Sequence, residues 1–307
     1  MKISIQTGDI VDRLGFEAGY PAIKAAGFEA VDWNIDHAWK FSQIRQGDYA
    51  NKTILSKSLD EVIKYYEYEL NIIKETGLKI TQAHAPFPAY ADDCPDFLDF
   101  AIEAYKREIE FCDYAGCERL VIHGISYPLS DKQGKERIDA LNKKLYTSLI
   151  PTLLNTKVTV CLENLFTSNS GVCYQGHCSY PEDAKKEIDE LNAAAGKEVF
   201  GFCLDTGHAN LLHHDLRTFI LTLGKRIKCL HIHDNNGQND QHMGPLTGTI
   251  AWNNFCEAMN EIGYDGDLSF ETFIQTNRAM DVDMELLFPW MELICKTGEV
   301  FRKKIQK

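Results

Sequence analysis

Eight short, β-rich runs recur along this chain, with longer amphipathic segments between them. The runs are KISIQ (2–6), EAVDW (29–33), KITQAH (79–84), RLVIH (119–123), KVTVCLE (157–163), VFGFCLD (199–205), IKCLHIH (227–233) and DLSFE (267–271). Several are almost continuously apolar, as parallel strands covered on both faces are. Helical spacing appears between them. The stretch 96–114 places apolar residues three and four apart behind Pro95, and 58–74 does the same with Ser58 as a cap and Gly77 as a stop. Eight strand–helix alternations predict an α/β fold, a closed (β/α)8 TIM barrel, spanning 1–307 as a single domain. No linker rich in Pro, Gly or Ser divides the chain. The rival architecture is an open doubly wound sheet. Its dinucleotide-binding form needs a G-x-G-x-x-G loop after an early strand, and none occurs there.

The segment of about 34–57 is long for a connection and carries Trp33, His37, Trp39 and Phe41 near its start. Two readings stand: a lid over a substrate, with Trp33, His37 and Trp39 as its contacts, or an aromatic plug on the barrel end.

Polar residues collect where the runs stop. His84 ends the third, His123 the fourth, Glu163 the fifth, Asp205 the sixth, His231 and His233 the seventh, and Glu271 the eighth. In a parallel barrel those positions meet at one mouth, the face that carries active sites. Each residue has an ordinary alternative. Asp205 can cap a helix starting near His208, and Glu163 can pair with Asn164. Taken together, however, carboxylates and imidazoles converging without a cation would bury unpaired charge. A divalent ion resolves that conflict. His231 and His233 share one face by the strand period of two, so periodicity does not choose between them. Loops add His208, three residues after Asp205, and Asp240 with His242; the alternative there is a solvated polar loop. His213 and His214 read as surface or packing residues, and His177 and His37 as loop histidines with no constellation around them.

A net charge of −13 argues against a nucleic-acid partner, because phosphate binding normally shows a basic stripe. No apolar run reaches the roughly 18 residues of a membrane span. The ten cysteines read as reduced thiols of a cytoplasmic protein, and without a C-x-x-C pair they do not suggest a cysteine zinc cluster. Homo-oligomerisation is left open.

In their order along the chain, AHAPF (83–87), VIHG (121–124), LEN (162–164), LDTGH (204–208), HIHDNNGQNDQHMGPLTGTIAW (231–252) and SFET (269–272) resemble the xylose-isomerase-like barrel superfamily. That group contains sugar isomerases and epimerases as well as endonuclease IV. In the family the metal-binding histidine is commonly followed three residues on by an acid, which His231 and Asp234 match. The sugar-branch resemblance implies one divalent ion held by Glu163, Asp205, His231 and Glu271. It also implies Glu163 and Glu271 as proton carriers and His208 as a sugar contact. The endonuclease branch holds three zinc ions with nine ligands. Types matching all nine stand at His84, His123, Glu163, Asp205, His208, His231, Asp240, His242 and Glu271.

The acidity, the aromatic loop and the GTIAW ending favour the sugar branch. Two departures set the chain apart from ketose epimerases. It has Phe166-Thr167-Ser168-Asn169-Ser170 where they carry a further acid, and Gly237-Gln238-Asn239 where they carry an arginine. The expectation is a metal-dependent isomerase or epimerase (Mn, Mg or Zn) that works through an enediolate on a small carbohydrate or sugar phosphate. No Lys/Arg cluster follows the last two runs, Arg278 being the nearest basic residue, and this favours the unphosphorylated form. The alternatives are endonuclease IV-like phosphodiester cleavage and a sugar or cyclitol lyase or dehydratase. A non-catalytic sugar-binding barrel would leave the carboxylates unexplained.

Overall fold

The computed structural model describes residues 1–35, 38, 39, 42, 47, 49, 53–126 and 132–307. Its strands are β1 (Ile3–Gln6), β2 (Ala30–Asn34), β3 (Lys79–His84), β4 (Arg119–Val121), β5 (Thr159–Glu163), β6 (Phe166–Asn169), β7 (Val172–Gln175), β8 (Phe200–Asp205), β9 (Ile227–His231) and β10 (Leu268–Phe270). Eight of them form one parallel sheet in the order β10-β1-β2-β3-β4-β5-β8-β9. Ile232 closes the ring. Its N–H donates to the Ser269 carbonyl at 2.8 Å, and its own carbonyl accepts from Glu271 N–H at 3.0 Å. The fold is therefore the α/β TIM barrel expected from the alternation.

Local chemistry explains the helix limits. Leu59–Thr76 starts at a capping box in which Ser58 and Glu61 satisfy each other's backbone N–H, and Gly77 ends it at φ 74°. Phe97–Ala115 buries Phe97, Leu98, Ala101 and Tyr105 on one face.

One element was absent from the sequence expectation. After β5 the chain makes an antiparallel hairpin, β6 with β7, before the helix Pro181–Ala195. Ser170 and Gly171 both have positive φ, at 52° and 79°, as a two-residue type I′ turn requires.

Two expected lid residues lie elsewhere. Trp33 is fully buried; its Nε1 donates to Glu69 at 2.9 Å, and its ring packs on Tyr66 and Phe111. Asp32 takes the inward position of β2, where its carboxylate meets Gln82 and Ser269, so the alternation sends Trp33 outward to the helices. Trp39 is buried against Phe97 and Tyr105. His37 lies outside the described residues, as does much of 34–57.

Inside the barrel the strand period builds chemistry in layers. Val121, Cys161, Cys203 and Cys229 pack together as one buried group. Two residues further along the same runs stand His123, Glu163, Asp205 and His231. All ten cysteines are free, and among the described residues no helix is long and apolar enough to cross a membrane.

Candidate metal centre and substrate cavity

The layer above the cysteines is a continuous set of carboxylates and imidazoles. Glu163 sits at its centre. Its Oε2 lies 3.0 Å from His123 Nε2, 3.3 Å from His231 Nδ1 and 3.8 Å from His84 Nε2, while its Oε1 lies 3.3 Å from His208 Nδ1. Glu271 Oε2 approaches His231 Nδ1 at 3.7 Å from the β10 side. Asp205 Oδ2 faces His233 Nε2 at 3.0 Å. Asp240 Oδ2 meets His242 Nε2 at 2.8 Å and His208 Nε2 at 3.8 Å. The structure thus brings together every metal-capable residue named from sequence at the ends of the third to eighth strands and in the loops after Asp205 and His233.

His231 and His233 both reach the site, from different sides. His231 lies between Glu163 and Glu271, and its Nε2 is 3.2 Å from Asp32 Oδ2. His233 lies against Asp205 and stacks on His242, with ring centroids 4.0 Å apart.

Several features fix these groups in place. Asp205 serves two purposes: Oδ1 caps the next helix by accepting from His208 N–H at 2.6 Å, and Oδ2 turns into the site. The pairing of Glu163 with Asn164 weighed from sequence is not what forms. Asn164 exchanges two hydrogen bonds with the backbone of Asp205, at 2.8 and 2.9 Å, tying β5 to β8. Asp234 organises the loop, accepting from the backbone of Asn235, Leu246 and Ile250 and from Trp252 Nε1. Gly207 must be a glycine, since a Cβ there would fall 1.9 Å from His233 Cε1.

Three histidines share one arrangement. The Nδ1 of His84, His208 and His242 each meets a backbone carbonyl, that of Ala85, Asn164 and Glu271, at 2.8, 2.9 and 3.1 Å. A carbonyl only accepts, so Nδ1 carries the hydrogen and Nε2 is presented to the site. Metal-binding histidines are oriented this way.

The electrostatics follow from the neighbours. Burial pushes the Glu163 carboxyl up, but His231 and His123 outweigh it and hold the group well below the usual carboxylate range. Asp205 is likewise lowered against burial by His208 and His233. Asp240 is lowered against burial by hydrogen bonds from His208 and His242. Burial lowers His208 and His231, yet the carboxylates of Asp205 and Glu163 carry both well above the ordinary imidazole value. His242 rises to about 8, Glu271 and Asp240 outweighing burial. His123 falls to about 4, chiefly through burial.

These residues fit a divalent cation. Within each of four overlapping sets, ligand atoms lie within 4.8 Å of one another: His84, Glu163 and His231; Glu163, Asp205 and His208; Asp205, His233 and Glu271; and His208, His233, Asp240 and His242. Asp240 Oδ1 is buried with no hydrogen-bond partner, and both ring nitrogens of His231 are buried against carboxylate oxygens, of Asp32 at 3.2 Å and Glu163 at 3.3 Å, without well-formed hydrogen bonds. Imidazole nitrogen beside ionised carboxylate is the donor set a Mn, Mg or Zn ion takes. The unpartnered oxygen also leaves a cost that a cation removes.

The site opens into a cavity of about 720 Å³. Phe87, Tyr90, Phe166 and Phe273 form its apolar side, and Gln6 and Asp9 belong to its polar side. Among the described residues no lysine or arginine lines it. The aromatics and Asp32 were not foreseen from sequence. A single phenylalanine in a loop has no period to mark it, and Asp32 reads as an ordinary polar position within a strand.

Residues 21–290 match the family described as the xylose isomerase-like TIM barrel. The chain belongs to that family. It is 32% identical over 114 residues to a ketose 3-epimerase of Arthrobacter globiformis, covering 37% of this chain and 36% of that one. It is 25% identical over 221 residues to a probable endonuclease 4 of Mesomycoplasma hyopneumoniae, strain 7448, covering 67% of this chain and 72% of the relative. The crystal structure of a D-tagatose 3-epimerase-like protein superposes with a TM-score of 0.70 at 19% identity, covering 99% of this chain and 100% of that one.

Proposed function

We propose that this family member is a divalent-metal-dependent isomerase or epimerase of a small, uncharged carbohydrate. The observation that carries the reading is the pair Glu163 and Glu271, whose carboxylate oxygens lie 3.3 and 3.7 Å from His231 Nδ1 and which open to the same cavity. Glu163, Asp205, His231 and Glu271 would hold the ion. When bound, it would supply Lewis acidity toward the substrate's carbonyl and adjacent hydroxyl oxygens.

The protein's own groups do the rest. Glu163 is kept ionised by its imidazoles, so it is fit to take the proton from the carbon next to the carbonyl. The electron pair of that C–H bond forms the new C=C bond as the carbonyl π pair moves onto its oxygen, giving an enediolate. For epimerisation, Glu271, carrying a proton taken up from solvent, then delivers it to the other face of the same carbon. For isomerisation, Glu163 returns its proton to the former carbonyl carbon while the hydroxyl proton passes to the former carbonyl oxygen. His208 presents Nε2 toward the cavity to orient a hydroxyl. Phe87, Phe166 and Phe273 offer flat apolar faces to sugar C–H groups and keep water away. The lack of a lysine or arginine in the described lining favours a substrate without phosphate.

The test is a panel of free aldoses and ketoses in D2O, with α-deuterium exchange followed by NMR. Glu163→Gln and Glu271→Gln should each lower exchange and turnover by roughly 10²–10⁴-fold with an unchanged circular dichroism spectrum. Activity surviving in both would refute the assignment.

A second reading, phosphodiester cleavage, draws on the cluster His208, His233, Asp240 and His242, which offers ligands beyond the four above. The acidic chain and the lack of lysine or arginine among the described residues lining the cavity weigh against it. Counting the ions held at the mouth separates the two, because three zinc ions there would favour cleavage and one ion the sugar reaction. A lyase shares the proton abstraction, and loss of water from the product would reveal it.

A further inference from the structure

His177 was read from sequence as a histidine with nothing around it, and the structure corrects this. Its Nε2 lies 2.9 Å from Glu187 Oε2 and 3.6 Å from Cys178 Sγ, and Cys178 Sγ lies 3.6 Å from the same carboxylate oxygen. We propose that His177, Cys178 and Glu187 bind a zinc ion at a site separate from the barrel mouth.

The geometry supports this. Zinc at its usual bond lengths to sulfur, nitrogen and oxygen, with tetrahedral angles, sets S···N at about 3.6 Å, S···O at about 3.5 Å and N···O at about 3.3 Å. Two of the three edges already have those lengths. The third is shorter, as an N–H···O hydrogen bond would make it before metal enters.

The imidazole is held for the purpose. Tyr146 stacks on it with centroids 5.7 Å apart, and His177 N–H donates to Ser126 Oγ at 2.7 Å. Gly124 gives the ring its room, since a Cβ there would lie 2.1 Å from Nδ1. Cys178 is buried, whereas the Glu187 side chain is 29% exposed, so water reaches the cluster at that carboxylate and could supply a fourth ligand. Binding would convert the Cys178 thiol to a thiolate and release its proton to solvent.

The consequence is mechanical. The ion would fasten the chain leaving β7 to the helix Pro181–Ala195, steadying the hairpin whose Phe166 packs against His208.

Cobalt(II) tests this on the full-length protein. Cys173 interacts with Asp240 and His208 at the mouth, so the thiolate-to-cobalt charge-transfer band is read in a Cys173→Ser background, where it reports the second site. The band should appear in that background, persist when Glu163→Gln is added and vanish when Cys178→Ser is added. If Cys178→Ser does not fold, Glu187→Gln on the partly exposed helix face should weaken the cobalt affinity read from the band by at least about tenfold. No band at saturating cobalt, a band that survives Cys178→Ser, or an affinity unchanged in Glu187→Gln would each overturn the proposal.

Discussion

Glu163 and Glu108 are both buried glutamates, and they titrate in opposite directions. Glu163 ends β5 among four histidines, and its carboxyl is held well below the usual range. Glu108 lies on the inner face of the helix Phe97–Ala115. Neither of its oxygens has a hydrogen-bond partner, and burial pushes it well above that range. Burial alone therefore makes a glutamate a neutral acid. What makes Glu163 a charged base and a ligand is the ring of imidazoles that the barrel closure assembles around it.

The sharpest way to break this contrast is to neutralise each residue in turn. Glu163→Gln should lower turnover by roughly 10²–10⁴-fold, whereas Glu108→Gln should leave kcat unchanged. Equal losses from both, measured on the exchanging substrate, would mean that burial and not position matters.

Acid offers the next largest effect. Without metal, the raised values of His208, His231 and His242 place protons on imidazoles that a cation must displace. Affinity should rise with pH, by up to about tenfold per unit for each displaced proton, with the share of His242 ending near its value of about 8. Manganese titrations between pH 6 and pH 9 read this directly, and a flat profile would remove imidazole from the ligand set.

A smaller effect is expected from Gly207→Ala. The added methyl must displace the His233 ring from Asp205. Metal affinity should fall by about 10–100-fold with the secondary structure retained. An unaltered affinity would show that His233 takes no part in orienting the site.

How much of this was legible in the sequence differs between the two glutamates' surroundings. The strands were visible because parallel strands are apolar nearly throughout, and their ends located Glu163, Asp205 and His231 because the barrel repeats one geometry eight times. What failed was what has no period. The β6–β7 hairpin is short and polar, and only its Ser170-Gly171 pair marks it. Trp33 next to a long loop suggested a lid, but one residue's step along β2 decides between mouth and core. The carboxylate that joins His177 and Cys178, that of Glu187, comes from a helix ten residues on, which composition does not announce. Glu108 falls on the buried face of an amphipathic helix, and spacing alone does not say whether a glutamate at such a position finds a partner.

Glu108 supplies the last and smallest test, and its sign is opposite to that of a catalytic loss. In the folded chain it holds its proton, while in the unfolded chain it ionises above about pH 4.3. The unfolded state therefore binds fewer protons over that range, and stability falls as pH rises from the unfolded value toward the raised folded one. Glu108→Gln removes this slope, and Glu108→Met also removes the orphaned oxygens. At pH 7 the methionine variant should be more stable by roughly 1 kcal/mol or more, a gain that shrinks toward pH 4. Urea midpoints of wild type and variant at pH 4 and pH 7 measure both numbers. A gain independent of pH would mean that Glu108 is ionised in the fold and has found a counter-charge, so that the two glutamates differ in degree and not in kind.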